Sequence, residues 1–435
     1  MQQAKSICEK GFWLLLLVSP LLDIVNGVLT YLSAGGTGGM LSSHNIPNAS
    51  GVSFSFTVRM VFLLLMVVYL FLRRSWKGIA VFCAIGVTWL LTILYEYARG
   101  VPFSLSADIQ YIARFCYCLL SLVIFFLIFR QAQDRIALRH KVDQVLCLSI
   151  LILGLGVLVP YALEMGFYTY ADPLGYRGSR GFFYAGNDIT VVMILLLPVV
   201  LSGWMEQKNL HSLFAWGQAL GASLCFVSML IIGTKAAFLA VGVTVVVMLV
   251  YGILFGIIQK QWTPLFRCLT VFLLVILLMA LLALIGKTNP LDTIHTSLSA
   301  TGNYSEIAGP ETVIFSGRTA TVRTAWADFK AALPLSALVG IGRGSQSKLM
   351  ELDLIEVFFY YGILGTLSML WLYVSHGVCI VINLFRKFSL RALACCLALA
   401  LCVGFLAMAG HTLFSVTAGF YFAFMIVYAR MFCAE

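Results

Sequence analysis

Residues 213–258 read LFAWGQALGASLCFVSMLIIGTKAAFLAVGVTVVVMLVYGILFGII. Two apolar runs, each about the 20 residues a helix needs to cross a hydrocarbon core of roughly 30 Å, are parted only by Gly233-Thr234-Lys235. No soluble core hides two such runs side by side, whereas a hairpin of membrane-spanning helices does. The same reading extends in both directions. Apolar spans fall near 12–33, 54–72, 78–97, 111–130, 142–164, 186–205, 213–232, 236–258, 266–286, 352–381, 389–409 and 411–431. The chain is therefore expected to be an all-α polytopic membrane protein of about twelve transmembrane helices, a single integral membrane domain over 1–435. The run from 352 exceeds a membrane thickness, so it tilts or extends beyond the bilayer.

Composition agrees. Of 435 residues, 61% are hydrophobic and 11% charged, a ratio that places the chain among membrane proteins. The first span, from about Phe12, is followed by no small-residue cleavage site and reads as an uncleaved anchor. The net charge of +10 is explained by topology and not by nucleic acid. Segments on one side hold sixteen basic residues, among them Arg73, Arg74, Lys77, Arg135, Arg139, Lys141, Arg386 and Lys387; those opposite hold six, leaving out the long 287–350 segment. By the positive-inside bias both termini are cytoplasmic. The outer side then carries segments 34–53, 98–110, 165–185 and the large loop 287–350 between spans 9 and 10. Within that loop, 318–331 has helical spacing (Val322, Ala325, Trp326, Phe329) too short to cross, so amphipathic helices on the membrane surface or over a cavity are expected.

The twelve cysteines include no CxxC pair, and there is no HExxH, P-loop or GxSxG element, so no metal, cofactor, disulfide framework or ATP drive is expected. What remains is a set of ionisable residues on one side. Arg177-Gly-Ser-Arg180 leads through Asn187-Asp188 into the sixth span. Two arginines beside a helix N-terminus suit an anion; capping by Asn187 or Asp188 with interfacial arginines is the plainer reading. Lys235 either snorkels to the surface or faces a cavity. Arg59 and Arg114 lie just inside their spans and invite a carboxylate partner such as Asp108 or Asp23. Glu351-Leu-Asp353-Leu-Ile-Glu356 opens the tenth span, with Asp353 and Glu356 sharing one helix face. They serve as caps and partners of Arg318, or as catalytic acids whose burial suits a base. Gly410-His411 divides the last two spans, where the histidine is an interfacial hydrogen bonder or a substrate-handling residue.

These stretches together resemble a known family. Ser316-Gly-Arg318…Trp326…Pro334…Gly340-Ile-Gly342…Glu351…Glu356…Tyr361-Gly362-Ile-Leu-Gly365 is similar to the signature of the bacterial O-antigen ligase and O-antigen polymerase superfamily. Arg180-Gly-Phe…Gly-Asn187-Asp188, Gly233-Thr-Lys235-Ala-Ala and Gly410-His411-Thr-Leu-Phe-Ser415 resemble its further elements. The resemblance covers roughly 175–420. It implies a GT-C-like glycosyltransferase in the bacterial cytoplasmic (inner) membrane with its site facing the periplasm or exterior. The implied donor is a saccharide on undecaprenyl diphosphate, the acceptor a second saccharide, and a chain-length-regulating co-polymerase is a possible partner. Carried over by position, Arg180, Lys235 and Arg318, with Arg177 beside them, would hold the diphosphate, and Asp353, Glu351 and Glu356 would supply the base. His411 and Asn187 are further substrate-binding candidates. Ligases of the family carry a His-Asn pair where this chain has Glu351-Leu-Asp353, so repeat-unit polymerisation is favoured over transfer of a finished glycan to lipid A core or another acceptor. A lipid-linked saccharide flippase is the reading from another class. It needs polar groups through the midplane, where these spans are nearly free of charge.

Overall fold

The computed structural model describes residues 2–36, 39–42, 53–172, 175–286, 288–308, 318–346, 350, 352–408 and 410–432. Apolar runs without breakers become helices because in hydrocarbon every backbone N–H and C=O must be satisfied within the segment. They form α1 (Gln2–Ser33), α2 (Phe54–Leu72), α3 (Trp76–Ala98), α4 (Leu105–Gln131), α5 (Arg135–Ala162), α6 (Gly186–Met205), α7 (Leu213–Ile232), α8 (Lys235–Gln259) and α9 (Thr263–Ile285). Next come α10 (Pro290–Ala308), α11 (Arg318–Ala331), α12 (Leu335–Val339), α13 (Asp353–Arg386), α14 (Leu390–Met408) and α15 (Ala418–Phe432). Eleven of these, α1–α9, α13 and α14, are long and apolar enough to cross a membrane. The chain is thus an all-α polytopic membrane protein.

The centre of the bundle is α6, buried along nearly its whole length. Around it α14 and α7 make close contact, α5 packs on α7, and α15 packs on α4. At the periphery α8 and α9 turn Leu239, Val246, Ile257, Leu273, Leu277 and Leu284 outward, as lipid-facing helices do.

Three departures from the sequence reading matter for the site. First, the last span is not a helix from 411. Residues 410–417 form a non-helical loop, and α15 begins at Ala418 and has 15 residues, about 22 Å of helix. Second, 165–185 is not plain loop. Tyr168–Asp172 (β1) and Gly175–Ser179 (β2) pair antiparallel, with Tyr168 opposite Ser179 and Tyr170 opposite Arg177. Third, α13 does not simply tilt. It bends at Gly362, whose φ of 62° and ψ of −161° break the helix. The carbonyls of Phe359 and Tyr360 accept from the N–H groups of Ile341 (2.8 Å) and Gly342 (3.0 Å). A bend in a buried helix is sustained by such replacement donors. Contact is so close that a Cβ on Gly340 would lie 2.2 Å from the Tyr360 carbonyl carbon, and one on Gly362 2.4 Å from that of Leu338. The glycines of the Gly340-Ile-Gly342…Gly362 signature are therefore packing residues.

The expected helix at 318–331 is α11. Its apolar side covers the first segment of α13, with Trp326 stacked on Phe329 and Phe359 at ring distances of 5.9 and 5.8 Å. Of the two expected partners for the arginines, Asp23 takes Arg59 at 2.8 Å. Asp108 instead accepts the backbone N–H groups of Arg343 (3.1 Å) and Gly344 (2.7 Å), fixing the loop that supports the bend. At the opposite end of the bundle, buried Arg391 pairs with Asp143 at 3.1 Å, which Tyr428 also reaches at 3.0 Å.

Candidate functional site

Asp353 begins α13 and Glu356 follows one turn later, so both carboxylates project to one side. That side meets the 410–417 loop. The Oδ2 of Asp353 accepts the N–H groups of Thr412 (2.6 Å) and Leu413 (2.7 Å). His411 Nδ1 sits 3.5 Å from Asp353 Oδ1 and 3.5 Å from Glu356 Oε2. Tyr111 of α4 donates its hydroxyl to Glu356 Oε2 at 2.5 Å. Both carboxylates are fully buried, while the His411 side chain is 24% exposed. Burial alone would lower the imidazole pKa. The flanking Asp353 and Glu356 outweigh it and hold His411 up at about 10. The imidazole therefore stays protonated at neutral pH. The unwound loop is the counterpart of this carboxylate: backbone donors freed from helix geometry are what a buried anion requires.

The same loop walls a polar chamber of about 350 Å³. Phe414 stacks on Tyr111 with rings 3.9 Å apart, and Ser415 donates to Asp188 Oδ2 at 2.6 Å. Arg59, Arg114, Asp23 and Tyr184 also line the chamber. The Asp23 carboxylate receives both Arg59 guanidinium nitrogens at 2.8 Å and the hydroxyls of Ser55 and Thr417. It is saturated and serves as an anchor. Arg114 lies over Phe56 at 5.4 Å, and its Nε is buried without a hydrogen-bond partner.

Beside the chamber stand the basic residues. Thr234 caps α8 by accepting the N–H of Ala237 at 3.2 Å, which puts Lys235 on the helix N-terminus, where the free N–H groups favour an anion. Lys235 feels the charge of both Arg177 and Arg318. Arg177 of the hairpin and Arg318 at the start of α11 thus both lie within electrostatic reach of Lys235, although 141 residues separate them (177 to 318). Gly178 makes this possible: with φ of 63°, a Cβ there would be 2.4 Å from the Ile232 carbonyl oxygen, so β2 presses onto the α7–α8 turn. Arg180 is held apart from this trio. Its guanidinium lies over Phe167 (5.6 Å) and Tyr184 (5.9 Å), its Nε has no hydrogen-bond partner, and burial lowers its pKa to about 10. Tyr184 is shared with the chamber wall, so Arg180 stands beside the chamber.

The residues singled out in the sequence thus fall into two groups. Arg177, Lys235 and Arg318 meet in one, and Asp353, Glu356 and His411 in the other. Glu351 lies outside the described residues, as do Ser316 and Gly317. Asn187 is exposed beside Asp188 in the first turn of α6. Asp188 itself, read from sequence only as a cap, is the carboxylate that faces the chamber. Its signal was its place directly after the arginine segment, but its partner Ser415 is 227 residues away. Asp353, Glu356 and His411 each offer one ligand atom within 4.8 Å of the others, a spacing that a metal ion could share. Tyr111 donates to Glu356 Oε2, and two backbone N–H groups donate to Asp353 Oδ2. Asp353 Oδ1 and both ring nitrogens of His411 are buried without a hydrogen-bond partner.

Among curated proteins none matches this sequence. The family described as "O-antigen ligase like membrane protein" matches over residues 6–304 and 303–431, nearly the whole chain. With its bundle of apolar helices, this chain therefore belongs to the O-antigen ligase like membrane protein family, whose members assemble polysaccharide in a membrane.

Proposed function

We propose that this protein is a metal-independent glycosyltransferase that polymerises saccharide repeat units carried on undecaprenyl diphosphate, at the outer face of the cytoplasmic membrane. The observation that carries the reading is the convergence of Arg177, Lys235 and Arg318 on the α8 N-terminus. A diphosphate is a good leaving group once its charge is neutralised, and this cluster supplies three cations and a helix dipole for it. Arg180 stands beside the chamber, over Phe167 and Tyr184. The excess of basic residues on the opposite side supports an outward orientation of this face.

The acceptor hydroxyl attacks the anomeric carbon of the donor sugar, the bond from that carbon to the diphosphate oxygen breaks, and the hydroxyl proton goes to a base. In this reading the proton goes to a carboxylate, Asp353 or Glu356, each 3.5 Å from His411 Nδ1. The absence of a histidine between Arg318 and α13 favours polymerisation over ligation, although the family description itself names a ligase.

The test is a glycan gel of a deletion strain. Loss of the polymer ladder with a single repeat unit left on carrier or core is the expected result. Full-length chains accumulating on the lipid carrier would show a ligase, and an unaltered ladder would overturn the transferase reading.

A further inference from the structure

A second cavity, of about 520 Å³, lies between the hairpin and α10, a volume within the usual range for small-ligand sites. One wall is the hairpin. Tyr168 and Tyr176 stack with ring centres 5.1 Å apart, and Tyr176 is 63% exposed. Arg177 lines the same wall and lies over Tyr170 at 4.9 Å. The facing wall is the start of α10, which presents Asp292 and Thr296, with Asn289 just before it. No hydrophobic side chain from α10 lines the groove. An exposed aromatic platform opposite hydroxyl, amide and carboxylate groups matches a pyranose. Its C–H face is apolar and its edge carries hydroxyls that both donate and accept. A lipid tail or an apolar peptide would meet the wrong lining.

Position identifies which sugar. Arg177 belongs both to this groove and to the cation cluster around Lys235. A saccharide joined directly to a diphosphate held by that cluster has to begin beside Arg177. We infer that the groove between the hairpin and α10 binds the saccharide of the lipid-linked donor, with Tyr176 as its stacking platform and Asp292 as a hydroxyl partner. This inference rests on the diphosphate reading above, and it makes the hairpin the element that selects which repeat unit is used.

The experiment measures equilibrium binding by the full chain in lipid nanodiscs. The probes are undecaprenyl diphosphate alone and the lipid-linked saccharide extracted from a strain lacking this chain. Wild type should prefer the saccharide-bearing lipid. Tyr176→Ala should remove roughly tenfold of that preference, corresponding to about 1.4 kcal/mol, while leaving affinity for undecaprenyl diphosphate unchanged. Asp292→Asn, on the opposite wall, should do the same, and Lys235→Ala should weaken both probes alike. Retention of the full preference by both groove variants would overturn the assignment. Rescue of the preference loss by free acceptor glycan would place the acceptor there instead and equally overturn it. Transfer activity is measured separately: its absence in wild type would defeat the transferase reading without touching the binding result.

Discussion

Replacing Asp353 with Asn keeps shape and removes charge, so it isolates what the carboxylate does for the 410–417 loop. In the native chain the loop is tied down by two short N–H···O bonds, at 2.6 and 2.7 Å, to an anion with no exposure. Hydrogen bonds to a charged acceptor contribute about 1.5–3 kcal/mol each, and those to a neutral one about 0.5–1.5 kcal/mol. An Asn carbonyl turned toward Thr412 and Leu413 therefore loses roughly 1–1.5 kcal/mol per bond, or about 2–3 kcal/mol in all. Local opening of the loop should become about 30- to 150-fold more frequent. Amide hydrogen exchange at Thr412 and Leu413 reads this directly, with the amides of α6 as the internal reference. Because Ser415 and Phe414 on the loop form the chamber wall, turnover should fall by at least the same factor while donor binding at Lys235 is retained. Protection within about threefold of wild type, together with normal turnover, would refute the view that Asp353 holds the loop and serves the reaction.

Arg318→Ala removes one of three convergent cations and should abolish the polymer ladder while membrane insertion, followed by membrane fractionation, stays normal; a ladder of ordinary length would sink the diphosphate assignment. The His411 imidazole is raised from 6.5 to about 10 by its carboxylates. Its charge thus stabilises the folded state fully below pH 6.5, and the contribution declines as pH rises and is lost above about 10. Thermal melts should therefore show wild type losing stability between pH 7 and 10 relative to His411→Gln, and parallel curves would show that the ring is not charged. EDTA should leave turnover of the purified protein unchanged; inhibition reversed by a divalent cation would place an ion among Asp353, Glu356 and His411.

The helical bundle was legible because hydropathy reports directly on a solvent without hydrogen-bonding groups, and each of the ten spans from 54–72 to 389–409 overlaps an observed helix. What could not be read was which of the ionisable residues touch. Arg177, Lys235 and Arg318 meet through a hairpin whose Gly178 rides on a carbonyl of α7, a contact with no local trace in sequence. The 410–417 loop looked like the start of a helix because it leads directly into the apolar run from Ala418; the buried Asp353, 59 positions earlier than Thr412, accepts the backbone N–H groups of the non-helical form. Asp188 and Asp353 look alike in sequence, each an acid in the first turn of a span. Packing separates them: one faces the chamber and one is sealed beneath it.

The pairing of Asp23 with Arg59 bears on how the chain is made. These charges sit on α1 and α2, adjacent helices that emerge consecutively during synthesis. Entering lipid as a neutralised helical hairpin spares each the several kcal/mol that an isolated buried charge costs. Asp353 has no such neighbour, for its donors arrive only with Thr412 and Leu413, 59 and 60 positions further along the chain. Until then α13 carries an unsatisfied anion at its tip. Nascent or truncated chains ending before 410 should accordingly be recognisable to membrane proteases, so that the last loop acts as a completion signal for the whole bundle.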